Sequence, residues 1–277
     1  MNDNTTNQAI HPNDYSALIK KIQRKRRIIL VLTFIAVLIT MVVCSPIYIR
    51  SLDKIIVDYK GIHPVFTVLI ILFILVCELV AYALVSNPLT TAMDIECDPQ
   101  KHLILNASLN RKNIDYIYAV DLLYMGNFSD ALNYANKMIA SNKPSMVNIG
   151  LFNKARCEFF LDDFDSLKLT VKQYEFYVAN MKKTNQKTKA VYQKIQNTLN
   201  LTLAIADKNK EKMSSYRSIE AWNASKATQG YIHYLKGVAA YSLGDKAEAI
   251  YYLMSVKETC GKTVFAKLAE PYLLDLA

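Results

Sequence analysis

The chain has 277 residues, 52% of them apolar, and a formal net charge of +9. That content can build a sizeable core, but seven glycines leave little material for phosphate-cradling loops. No P-loop, dinucleotide fingerprint, H-E-x-x-H pair or nucleophile elbow occurs, so neither an enzyme nor a bound cofactor is expected.

Residues 1–27 divide into an Asn- and Thr-rich tail without apolar period and a basic juxtamembrane segment from Tyr15. Leu18, Ile19 and Ile22 fall on one side of a short helix there. Lys20, Lys21, Arg24, Lys25, Arg26 and Arg27 supply a basic side suited to anionic lipid headgroups. This cluster accounts for much of the net charge without nucleic acid.

Residues 28–86 read as a transmembrane hairpin. Residues 28–49 carry no charged side chain and residues 65–85 carry only Glu78. Each run is long enough to cross a hydrocarbon layer as a helix. A cleaved signal peptide fits poorly, because no small-x-small site follows and a second apolar run comes soon after. Val43 before Cys44 also breaks the lipoprotein pattern. The connecting loop holds Arg50, Lys54 and Lys60 against Asp53 and Asp58, far less basic than the segment before residue 28. The N-terminus is therefore expected in the cytoplasm, and two crossings return the chain there. Glu78, alone at depth, must stay protonated or find a polar partner, in the first span or in another copy.

Residues 87–109 read as a linker, with Asn87-Pro88 favouring extended backbone and a short helix from Gln100 to Leu109. Cys97 and His102 are the nearest cysteine and histidine, with no second pair to complete a tetrahedral set, so no metal site is expected. Cysteines are isolated and form no C-x-x-C pair, in keeping with a reducing compartment and no disulfide framework.

From residue 110 to 277 the apolar spacing is helical throughout. The expected helices cover 111–125, 128–141, 145–161, 164–181, 187–206, 210–221, 227–243, 246–259 and 263–275. The octet from Gly126 to Asn133 returns from Gly244 to Tyr251. A glycine ending one helix in the left-handed conformation, followed by Asn or Asp capping the next, makes a tight helical hairpin. Ala131 and Ala249 then sit where the paired helices cross. Such hairpins stack into solenoids, so the fold class is all-α.

These residues resemble the tetratricopeptide repeat. Aligned on Gly126 and Gly244, the family's small first-helix position falls on Ala119 and Gly237, and its small second-helix position on Ala131 and Ala249. Phe128 and Phe164 take the bulky turn-flanking position; Asp162-Asp163 marks a second copy and Asp207-Lys208-Asn209 a third. About four hairpins and a closing helix result. Two spans ahead of divergent repeats also resembles a group of membrane proteins of low-GC Gram-positive bacteria, which implies a bacterial plasma membrane.

The resemblance implies a concave groove lined by the first helices: Asn113, Tyr116 and Val120, then Ile149, Phe152, Asn153 and Arg156, then Tyr231, Tyr234 and Tyr241. Tyr116 and Val120 stand where the family's chaperone-tail clamp needs Lys and Asn, so an apolar peptide with one acidic group for Arg156 fits better. The expectation is a membrane-anchored adaptor that binds a protein or peptide partner. Its rival is an accessory subunit of a transport or secretion complex, acting through its spans and Glu78. Replacing the spans with an unrelated hairpin separates the two. Self-association through the spans is compatible with either.

Overall fold

The computed structural model describes residues 15–53, 62–109, 114–181, 185–221 and 225–277. Within the helices, the side chains of 39–53 and 62–67 and of several later positions, Glu78 among them, lie outside the description. All regular structure among the described residues is helical. The chain divides into two units, Met1–Leu89 and Thr90–Ala277.

The first unit holds helices α1 (Ser16–Asp53) and α2 (Ile62–Thr90). The basic segment and the first apolar run form one continuous helix rather than two. The six basic side chains of that first segment, Lys20, Lys21 and Arg24 to Arg27, are all exposed. Beyond them the exposed surface turns apolar: Phe34 is 63% exposed, Leu32 56% and, on α2, Leu79 66%. Among the described residues no helix is long and apolar enough to cross a membrane. The expected break at Asn87-Pro88 is absent, because α2 continues through Pro88. A single proline removes one backbone donor and strains the preceding turn without always ending a helix. A π-helical turn, Thr91–Ile95, follows directly.

The second unit continues with α3 (Pro99–Ser108), α4 (Ile114–Met125), α5 (Phe128–Ala140), α6 (Pro144–Phe160) and α7 (Phe164–Ala179). It ends with α8 (Gln186–Ala206), α9 (Lys210–Tyr216), α10 (Lys226–Leu243), α11 (Lys246–Cys260) and α12 (Val264–Leu276). Helix α9 stops well short of residue 221. Each helix packs mainly on its neighbours in sequence, the packing of an α-solenoid.

Four turns share one construction. Gly126, Asp162, Lys208 and Gly244 have φ of 88°, 57°, 52° and 83°. The residue after each donates its backbone N–H to the carbonyl five positions back, always at 2.9 Å: Asn127 to Leu122, Asp163 to Glu158, Asn209 to Ala204 and Asp245 to Ala240. That bond satisfies an orphan carbonyl at the helix end. The same Asn or Asp side chain then accepts from the N–H three residues on and caps the next helix. Left-handed geometry at Asp162 and Lys208 explains why glycine is dispensable in the middle copies, at a cost of about 1 kcal/mol each. Ala131 and Ala249 are fully buried at the helix crossings.

Helix α12 carries the second unit back on itself. It packs on α10 and α11 and also reaches α4, where Phe265 meets Tyr124 edge-on with ring centroids 5.3 Å apart. Phe265 is fully buried and lies 5.7 Å from Phe160 on α6. A large aromatic core therefore fills the space between the early and late hairpins.

Candidate functional site: a pocket above a buried arginine

Helices α4, α6, α8 and the start of α10 enclose a cavity of about 310 Å³. Tyr116 and Val120 line it from α4, Ile149, Phe152, Asn153 and Arg156 from α6, Val191, Tyr192 and Ile195 from α8, and Thr228 from α10. On α6 the spacing of 149, 152, 153 and 156 follows one helical face. The walls are apolar and aromatic, with polar groups at a few points.

Arg156 is only 2% exposed. Its guanidinium lies 4.0 Å from the ring centroid of Tyr231 and 4.9 Å from those of Tyr124 and Phe152. Ring faces attract a cation, most strongly when water is excluded. They do not accept its in-plane N–H groups. Nη1 donates to Asn153 Oδ1 at 3.5 Å, while Nε, Nη2 and Asn153 Nδ2 have no acceptor among the described residues. No carboxylate forms an ion pair with Arg156 among the described residues. A buried guanidinium without a counter-ion is costly, so the site is electrostatically incomplete.

The predicted groove residues separate into three groups. Tyr116, Val120, Ile149, Phe152, Asn153 and Arg156 line one pocket, with Tyr116 at the rim. Tyr231 and Tyr234 are not open groove positions, which corrects the sequence reading. Tyr231 is fully buried, 5.2 Å from the Phe265 ring and with its hydroxyl 3.2 Å from that of Thr202. Burial raises its phenol pKa, and the Arg156 charge opposes this. Tyr234 is 5% exposed and stacks on Phe265 at 5.9 Å. Closure by α12 turns both rings into core. Tyr241 stands apart and donates to Asp275 Oδ2 at 2.6 Å. Asn113 lies outside the described residues, as does the Glu78 side chain.

The sequence reading missed Tyr124, Tyr192, Ile195, Asn148 and Thr228. Tyr124 was reachable, because it follows Val120 by four residues on the same helical face. The α8 residues were not, since nothing local says that α8 closes over α6. Asn148 is held by donating to the Tyr174 hydroxyl at 3.0 Å. Beside the pocket on α4, buried Asp121 meets His102 Nδ1 with both carboxylate oxygens at 2.8 Å. Burial pushes the Asp121 pKa up to about 6, against the lowering effect of His102.

No protein-family model, curated protein or solved structure matches this chain.

Proposed function

We propose that this chain is an adaptor of tetratricopeptide type, anchored in the bacterial plasma membrane, that seats a segment of a partner protein in the pocket above Arg156. One observation carries the reading: a buried guanidinium with two donor nitrogens unfilled, beside an unfilled Asn153 amide, in an aromatic and apolar pocket. A carboxylate supplies what these donors lack, and charge-assisted bonds to Arg are strong and directional. Val120, Ile149, Val191 and Ile195 offer contact for apolar neighbours of that carboxylate. Anchoring is supported by the uncharged run 28–49, the run 65–85 and the exposed basic cluster before them. Both ends of the chain then face the cytoplasm. Spacing of capped hairpin turns supports the repeat assignment.

The test is a photo-crosslinking residue placed at Tyr116 in the full chain in cells. The captured partner segment is expected to carry Asp, Glu or a chain terminus beside apolar residues. A synthetic peptide of that segment should bind the purified full chain, and its carboxamide analogue at least about tenfold more weakly. Equal binding of acid and amide, or unchanged capture by Arg156→Met, would falsify the proposal.

A further inference from the structure

Cys97 and Cys260 are 163 positions apart in sequence, yet their sulfur atoms lie 3.0 Å from each other. Both thiols are fully buried and both are free. Cys97 follows the π-helical turn near the start of the second unit, and Cys260 is the last residue of α11. The geometry points to this pair as a redox modification site, in which a small peroxide converts two thiols into one disulfide that joins the beginning of the repeat unit to its last hairpin.

Several features hold the sulfurs together. Cys97 has φ of 48°, a left-handed conformation that a cysteine adopts only when its surroundings impose it. Next to it, Asp98 Oδ2 accepts from Lys262 Nζ at 2.8 Å, a second tie between the same two segments. Cys260 Sγ donates to the Lys226 carbonyl at 3.1 Å. Gly230 faces the same sulfur: a Cβ there would stand 2.5 Å from Cys260 Sγ. Only a residue without a side chain leaves Cys260 room to reach Cys97. A disulfide needs the sulfurs about 2.05 Å apart, so closure is a movement of roughly 1 Å.

The two thiols are not equivalent. Cys260 ionises more readily, because the Cys97 thiol, the Thr259 hydroxyl, the Gly230 amide and the Lys226 charge favour its thiolate against the effect of burial. Cys97 is held protonated by that same hydrogen bond and by burial. Cys260 is thus the attacking sulfur. Its thiolate displaces hydroxide from the peroxide, forming a sulfenic acid, and the hydroxide leaves as water on protonation. Cys97 then attacks the sulfenic sulfur, loses its proton and releases a second water. Two thiols are oxidised by two electrons and one hydrogen peroxide is reduced to two waters.

The experiment uses the full chain in membranes or detergent, treated with hydrogen peroxide, then unfolded in denaturant, capped with a maleimide and mapped by mass spectrometry. The expected result is a Cys97–Cys260 linked peptide, lighter by two hydrogens than the sum of its parts and cleaved by dithiothreitol. Two of the five cysteines should escape capping, and the unfolding midpoint should rise until reductant is added. Gly230→Ala, which keeps both thiols, should reduce the yield of the linked peptide several-fold at equal peroxide. Full capping of Cys97 and Cys260, a sulfinic acid at Cys260 without a link, or a link to another cysteine overturns the inference. These outcomes are read on the wild-type chain and do not depend on a variant folding.

Discussion

The first hairpin (α4 and α5) and the last (α10 and α11) are built from one local pattern and placed in different surroundings. Both end their first helix on a left-handed glycine, cap the second with Asn127 or Asp245, and bury an alanine at the crossing. With Gly126 set on Gly244, Tyr116 corresponds to Tyr234, Val120 to Val238 and Asp121 to Ala239. Tyr116 is 37% exposed and Tyr234 only 5%. The space beside Gly126 is occupied by Val264, 2.8 Å from where a Cβ would be, whereas at Gly244 none of the described residues comes within 4 Å. Identical hairpins therefore acquire different roles from what packs against them. The first presents a pocket rim, and the last supplies core.

The largest expected difference lies at Asp121 and Ala239, two fully buried positions of which only one titrates. Folding raises the Asp121 pKa from 3.8 to about 6. A raised pKa means the folded state holds the proton more tightly, so this contribution is fully present below pH 3.8 and is lost as pH rises through about 6. The shift corresponds to about 3 kcal/mol. Urea unfolding from pH 4 to 8 should show wild type losing stability relative to Asp121→Asn by about that amount; parallel curves would break the comparison.

Gly126→Ala and Gly244→Ala sharpen it next. Both variants force a side chain into the left-handed region, at about 1 kcal/mol, but only the first also meets Val264. Gly126→Ala should cost about 1 kcal/mol more than Gly244→Ala in chemical unfolding. Equal losses would mean that α12 yields freely.

Arg156 and Val238 occupy corresponding positions in the second and fourth copies, one charged above a pocket and one apolar. Arg156→Met should stabilise the unliganded protein by about 1 kcal/mol, because it removes a buried charge that no described residue pairs. The same variant should lose the proposed partner segment. A destabilised Arg156→Met would mean that the aromatic cage compensates the charge by itself.

The smallest effect concerns the middle turns. Lys208→Gly should raise stability by about 0.5–1 kcal/mol, since glycine enters the left-handed region without steric cost. An Asp162→Gly partner variant should behave alike, and thermal unfolding resolves both.

The helices themselves were legible along the chain. Expected and observed limits agree within a few residues for α4 to α8 and α10 to α12, because apolar spacing, Asx caps and left-handed turn residues are local signals. Where the signal was ambiguous the outcome differed: Pro88 sits inside α2, and α9 ends at Tyr216. The pocket was reached in part, through Tyr116, Val120, Phe152, Asn153 and Arg156, which the resemblance to the tetratricopeptide repeat implied as groove positions. The burial of Phe152, Asn153 and Arg156 was not, and neither was the reassignment of Tyr231 and Tyr234 to the core.

What the residue order determined alone was the set of helices, the hairpin turns and two long apolar runs behind a basic segment, since each depends on neighbours within a few positions. Tertiary structure alone decided that α12 returns to α4, that Arg156 lies enclosed with no counter-ion among the described residues, and that Cys97 stands beside Cys260. Those outcomes join residues far apart in the chain. Packing free energy summed over many contacts, with no local signature in any of them, selects such meetings.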